Sequence, residues 1–212
     1  MFKFKYFQIN GSMQLNPHMT KQLGRRTTAY FENSKTTLIL GSSHINRVPA
    51  IKHMSKIAIS GGKLHHFQKY INLNKDLIRK FQRLVIFDAG KGISIANNKE
   101  DILLEYGRLI DNIHQQFPSL IMFSTDQLPR KSTAFTKNAQ IISNQILKRN
   151  SKHFHLKLFK NFTYRAPRPQ RIRQFRKNLF QVDGVHLNQM GQQKLTSILE
   201  KVNFQQLNDF KI

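Results

Sequence analysis

Leu38-Ile-Leu-Gly-Ser-Ser-His-Ile-Asn46 is the stretch that decides how this chain is read. Three apolar residues run straight into a glycine and two serines, which reads as a buried strand with hydroxyl side chains at its carboxyl end. Working outward, similar runs at 37–40, 56–60, 84–88, 119–125 and 155–159 read as strands, and helix-like segments separate them. Segments 64–73 and 75–82 fill one gap. After Asn98, a helical period places Ile102, Tyr106, Leu109 and Ile113 on one face, with Glu100 and Asp101 in the first turn where the helix dipole favours acids. The next helix aligns Phe135, Ala139, Ile142 and Ile146, and the last, after Asn188, aligns Leu195, Ile198, Leu199 and Val202. Strands alternating with helices imply right-handed crossovers, hence an α/β fold: a three-layer, flavodoxin-like, doubly wound parallel sheet of about five strands. Residues 36–212 are read as one domain of this kind. Residues 1–35, where Phe2, Phe4 and Tyr6 alternate with Lys3 and Lys5, are read as a basic N-terminal extension.

A second motif, Asp183-Gly-Val-His-Leu-Asn188, lies just before the last helix. Ligands of doubly wound sheets bind beyond the carboxyl ends of the strands, and both motifs fall there. A serine hydroxyl is a poor nucleophile until a base takes its proton. A neutral imidazole does so when a carboxylate fixes its tautomer and stabilises the imidazolium that forms. With only two residues between them, Asp183 and His186 come from one turn.

On these residues the chain resembles the SGNH, or GDSL-type, hydrolases over roughly 36–202, with the Leu-Ile-Leu-Gly-Ser-Ser-His run as their first block and Asp-Gly-Val-His-Leu-Asn as their last. The resemblance implies an ester hydrolase working through an acyl-serine, with Ser43 as nucleophile, His186 as base and Asp183 as its orienter. Ser42 stands where the family usually has aspartate, and Gly61 in Ser60-Gly-Gly-Lys63 matches the glycine whose N–H joins the oxyanion hole. The 125–130 segment and the last block are most similar to divergent members in animal retroelement open reading frames. The third block departs from the pattern. In Phe87-Asp-Ala-Gly-Lys-Gly-Ile93, Gly92 takes the oxyanion position of an asparagine donor. Losing one such donor costs about 10²–10³ in rate. Either another group such as Lys91, Asn97 or Asn98 fills the hole, or the fold has kept its triad while catalysis has decayed.

Charge supplies the alternative. The chain carries 35 Lys and Arg against 11 Asp and Glu, formally +24. Self-repulsion of that size disfavours compaction, and a polyanion partner relieves it. Between Asp126 and Asp183 there is no acid but fourteen Lys and Arg. Arg165, Arg168, Arg171, Arg173, Arg176 and Lys177, with Tyr164 and Phe175 interleaved, read as an Arg-rich loop at about 163–178 that contacts RNA or DNA, set against a solvated loop with scattered charge. The second hypothesis is therefore a degenerate SGNH-fold protein serving as a binding or structural part of a ribonucleoprotein or retroelement particle. Both can hold in one molecule.

The chain has no cysteine, which excludes disulfides and thiolate chemistry and fits an intracellular protein, with nucleus, cytoplasm and mitochondrion all open. No apolar run approaches the roughly 20 residues of a membrane span. His65-His66 and His153-Phe-His155 lack carboxylates or cysteines at ligand spacing, so packing is expected rather than a metal, and no cofactor is expected. Asp88, at a strand end, reads as a cap or ion-pair partner.

Overall fold

The computed structural model describes residues 14–15, 17–32, 36–88, 90, 99–149, 154–165 and 173–204. In chain order it contains β1 (Gln14–Leu15), α1 (Pro17–Leu23), β2 (Thr27–Tyr30), β3 (Thr37–Ser42), α2 (His44–Arg47), β4 (Met54–Ile59), α3 (Leu64–Leu73), α4 (Lys75–Ile78) and β5 (Arg83–Phe87). There follow α5 (Lys99–Gln116), β6 (Ile121–Thr125), α6 (Thr133–Arg149), β7 (Phe154–Leu156), α7 (Phe159–Phe162), β8 (Thr163–Arg165), β9 (Arg173–Phe175), a 3-10 turn (Lys177–Leu179) and α8 (Gln189–Phe204).

Strand side chains alternate between two faces, and both faces are covered. Leu38 and Leu40 of β3, Ile57 and Ile59 of β4 and Leu84 and Ile86 of β5 pack with Phe67, Tyr70, Ile110, Ile113 and Ile142 from α3, α5 and α6. The intervening Ile39, Ala58 and Val85 face the other way, onto Ile45 of α2, Phe162 of α7 and Leu195, Leu199 and Val202 of α8. Strands buried on both faces carry continuous apolar runs, which is why the central ones were legible. β4, β3, β5, β6 and β7 lie side by side in that order and all four pairings are parallel. With two antiparallel strands added at one edge the described sheet has seven strands, in the order β1-β2-β4-β3-β5-β6-β7. This is the doubly wound α/β architecture expected, and it puts the exits of β3 and β5 next to each other.

The boundary expected at 35/36 is not where the sheet begins. Thr27–Tyr30 is buried throughout and pairs with β4 from Thr27↔Ile59 to Tyr30↔Lys56. Threonine is a good strand former but carries no apolar signal, so hydropathy alone passed over this strand. It covers Lys56, whose Nζ donates to the carbonyls of Val48 (2.5 Å) and Pro49 (3.1 Å) and lies 5.2 Å from the Tyr30 ring centroid. Two other expectations shorten. The helix expected at 75–82 ends at Ile78, because the N–H groups of Gln82 and Arg83 both turn to the Thr36 carbonyl and start β5. The strand expected at 155–159 stops at Leu156, because the Asp126 carboxylate takes the Phe159 N–H and opens α7. No helix among the described residues is long and apolar enough to cross a membrane.

Candidate functional site

The exit of β3 is shaped by Gly41. A Cβ there would come within 2.6 Å of Ile45 Cγ1 and 3.0 Å of Phe87 Cβ, so only glycine lets α2 fold back over the strand. The chain then turns at Ser43, half-buried, which takes αR dihedrals and leads α2. Ser42 is buried beneath it, with no hydrogen-bond partner for its hydroxyl among the described residues.

The Asp183–His186 turn is assembled around one carboxylate. Asp183 Oδ1 accepts the N–H groups of Val185 and His186, both at 2.9 Å, and Oδ2 accepts His186 Nδ1–H at 2.5 Å. The bond from the His186 ring, followed by the two backbone bonds, holds the Asp183 carboxyl well below the usual carboxylate range. Gly184 makes the turn possible: its φ is +63°, and a Cβ there would sit 2.5 Å from Lys131 Cβ. With Nδ1 committed to Asp183, His186 keeps Nε2 as its basic nitrogen.

His44 joins the two motifs. Its Nε2 bonds the Val185 carbonyl (3.0 Å), and its ring stacks on that of His186 with centroids 5.4 Å apart and planes at 25°. Burial pushes the His44 imidazole down to about 4, and the charge of His186 pushes in the same direction. His44 is thus a neutral platform under the His186 ring at neutral pH. The residue next to Ser43 therefore touches the ring of His186, although among the described residues no hydrogen bond joins the Ser43 hydroxyl to that ring. Such bonds commonly tighten only when substrate binds.

Gly61 follows β4, with φ +63°. Ser60 and Gly62 spend their N–H groups on the Arg26 and Ile59 carbonyls, whereas that of Gly61 is taken by no described group. Gly92, with Lys91, Asn97 and Asn98, lies outside the described residues. Asp88 is buried at the β5 exit, where burial pushes its carboxyl up to about 6 against the bonds from the Gly90 N–H (2.9 Å) and Gln127. It closes a local turn, as a cap does.

The basic segment divides. Arg165 and Arg173 face one another across the antiparallel β8–β9 ladder, so the described part of the expected loop is a two-stranded ribbon, with Arg168 and Arg171 outside the described residues. Arg173 Nε donates to Thr163 Oγ1 (2.9 Å) and Arg176 Nε to the Thr163 carbonyl (3.1 Å), so both also brace the ribbon. Lys177 is exposed at the following 3-10 turn. Tyr164 is exposed, while Phe175 packs edge-on against Phe180 in the core and is not displayed. Of the histidines considered for metal, His155 bonds Asp126 and Ser124, and His66 Nδ1 accepts the Lys63 N–H (3.2 Å). No group of three potential metal ligands occurs among the described residues.

No protein-family model matches the chain, and no curated protein matches it in sequence. Solved structures do match. A GDSL-like lipase from Bacteroides thetaiotaomicron superimposes with TM-score 0.61 at 11% identity, covering 81% of this chain and 89% of that one. The fold is that of the SGNH hydrolases. A carbohydrate esterase of family 3 from Talaromyces cellulolyticus matches with TM-score 0.56 at 12% identity, over 83% of this chain and all (100%) of that one. The CTD of the Drosophila Oskar protein matches with TM-score 0.54 at 12% identity, over 81% and 95%. At these identities the shared feature is the SGNH fold, and the chemistry must be argued from the residues present.

Proposed function

We propose that this protein is a divergent SGNH-type serine ester hydrolase acting through an acyl-serine intermediate. Ser43 Oγ attacks the ester carbonyl while His186 Nε2 accepts its proton. Asp183 holds the imidazole and stabilises the imidazolium, which then gives the proton to the leaving alkoxide. Water repeats the sequence on the acyl-serine. Gly61 N–H is the backbone donor assigned to the oxyanion. The observation that carries the reading is the Asp183–His186 turn: one carboxylate orders three N–H groups in an accessible loop, and the imidazole it holds rests on the residue that follows Ser43. The test is hydrolysis of short- and medium-chain p-nitrophenyl esters by wild type and Ser43→Ala. Loss of at least about 10³-fold in the variant is expected. Equal activity in both proteins would refute the assignment.

A second reading has its own observation, the β8–β9 ribbon that exposes Arg165 and Tyr164 on a chain of formal charge +24. It makes the basic segment a polyanion-binding surface, for RNA or DNA, on an SGNH scaffold with or without turnover. Counterion release then makes affinity fall steeply with salt. Neutralising Arg165, Arg168, Arg171 and Arg173 together is expected to weaken binding and shallow the salt slope. An unchanged slope in filter binding would move the surface elsewhere.

A further inference from the structure

An acyl-serine reaction places negative charge on the former carbonyl oxygen, and donors aimed at that charge usually supply the largest single catalytic contribution. One backbone N–H from Gly61 is a sparse provision. A side chain able to supplement it is Arg130, the last residue of the 125–130 segment.

Arg130 is held from three sides. Its N–H donates to Thr136 Oγ1 (3.1 Å) and its carbonyl accepts from the same hydroxyl (2.7 Å), which clamps its backbone onto the first turn of α6. The next residue, Lys131, donates its N–H to the Gly184 carbonyl at 2.9 Å, which docks this loop on the Asp183–His186 turn. The guanidinium carbon lies 4.1 Å from the Phe135 ring centroid, a cation–π contact that limits where the head group can go. Phe135 itself packs against the backbone at the β5 exit, close enough that a Cβ on Gly90 would fall 2.8 Å from its Cζ. The half-buried Arg130 therefore lies between the β5 exit and the Asp183–His186 turn. Its charge acts on His44, which follows Ser43, and on Asp88 at the end of β5. Arginine is always protonated, and its five N–H donors form a rigid fork suited to oxygen anions.

We propose that the Arg130 guanidinium is the side-chain oxyanion donor of this site, positioned by the Phe135 ring and complementing the backbone donor assigned to Gly61. As the Ser43 Oγ–carbon bond forms, the carbonyl π pair moves onto oxygen, the serine proton passes to His186, and Arg130 donates to the new oxyanion. When the pair returns to re-form the carbonyl, the alkoxide leaves with the proton from His186. The inference rests on the serine hydrolase reading. It predicts that Arg130 acts on the transition state rather than on substrate binding, and that neutral esters feel it as strongly as charged ones.

The experiment compares wild type, Arg130→Gln, Arg130→Lys and Phe135→Leu on p-nitrophenyl acetate and on p-nitrophenyl hemisuccinate, which carries a carboxylate. The rate of Ser43 labelling by a fluorophosphonate and the melting temperature are followed in parallel. For Arg130→Gln, kcat on both esters and the labelling rate are expected to fall by about 10²–10³, with KM within about three-fold of wild type. Arg130→Lys recovers part of the loss, because the charge remains but the fork does not. Phe135→Leu keeps the guanidinium but loses its platform, and falls between the two. A kcat within about three-fold of wild type in Arg130→Gln, or a loss confined to KM on the hemisuccinate, would overturn the proposal. The second of these results would make Arg130 a receptor for substrate carboxylate. Ser43 labelling and activity that ignore Arg130 leave the hydrolase reading standing. A wild type that never labels at Ser43 removes both.

Discussion

Among the described residues there are two Asp–His pairs. Asp183 and His186 are three residues apart in one turn, with side chains 45% and 32% exposed. Asp126 follows the end of β6 and His155 is the middle residue of the adjacent β7, both with side chains 5% exposed. The buried pair is the more completely wired: Ser124 Oγ bonds His155 Nδ1 at 2.7 Å, His155 Nε2 bonds Asp126 Oδ1, and Asp126 Oδ2 takes the Phe159 N–H at 3.1 Å. It forms an uninterrupted hydroxyl–imidazole–carboxylate chain, yet it lies inside the sheet layer, where a substrate cannot reach it. The exposed pair has no hydrogen bond to a serine hydroxyl among the described residues but opens onto the carboxyl edge of the sheet. Connectivity alone does not mark a catalytic site; a substrate also needs access. The same side-chain types close the β6–β7 edge and start α7 in one place, and present an accessible imidazole in the other.

Breaking the two carboxylates should separate these roles. The largest effect is expected from Asp183→Asn, which keeps the turn but offers the wrong tautomer partner. Ester turnover should fall by about 10⁴, and urea unfolding should change by no more than about 1 kcal/mol because the pair is solvated. Asp126→Ala should do the reverse. It strands His155 Nε2 and the Phe159 N–H in the interior, at a cost of about 3 kcal/mol in denaturant unfolding, while turnover by the remaining folded protein stays within about three-fold. A variant of Asp126 that loses turnover before stability would erase the distinction between the pairs.

The smallest effect sharpens the role of His44. Its folded value, about 4, lies below the ordinary 6.5, so between those values the unfolded chain takes up a proton that the native protein refuses. Its contribution to stability is complete above about pH 6.5 and is lost as pH falls towards 4. Relative to His44→Leu, wild type should lose about 2 kcal/mol between pH 7 and pH 5 in paired urea melts. A pH-independent difference would mean that the ring under His186 is not held neutral.

Some of this was legible and some was not, for identifiable reasons. The strand from Leu38 to Leu40, the helix faces through Ile113 and Ile142, and the Asp183–His186 spacing are local patterns, and each holds in the structure. β2 escaped because its threonines are strand formers without hydropathy. Asp126 and His155 stand 29 positions apart, so no spacing rule joins them, and His155 read only as a packing residue. Arg130 ends the 125–130 segment, but its surroundings, Phe135, Thr136 and the Gly184 carbonyl that holds Lys131, are set only by the fold.

By itself, the sequence determined the doubly wound sheet and the pairing of Asp183 with His186. Both follow from interactions among residues close in the chain: alternation along a strand, a stripe along a helix, a carboxylate reaching across one glycine turn. The tertiary structure decided which Asp–His pair is open to solvent, that β2 joins the sheet beside β4, and where the guanidinium of Arg130 rests. Those are matters of burial, which belongs to the packed whole and to no single segment of it.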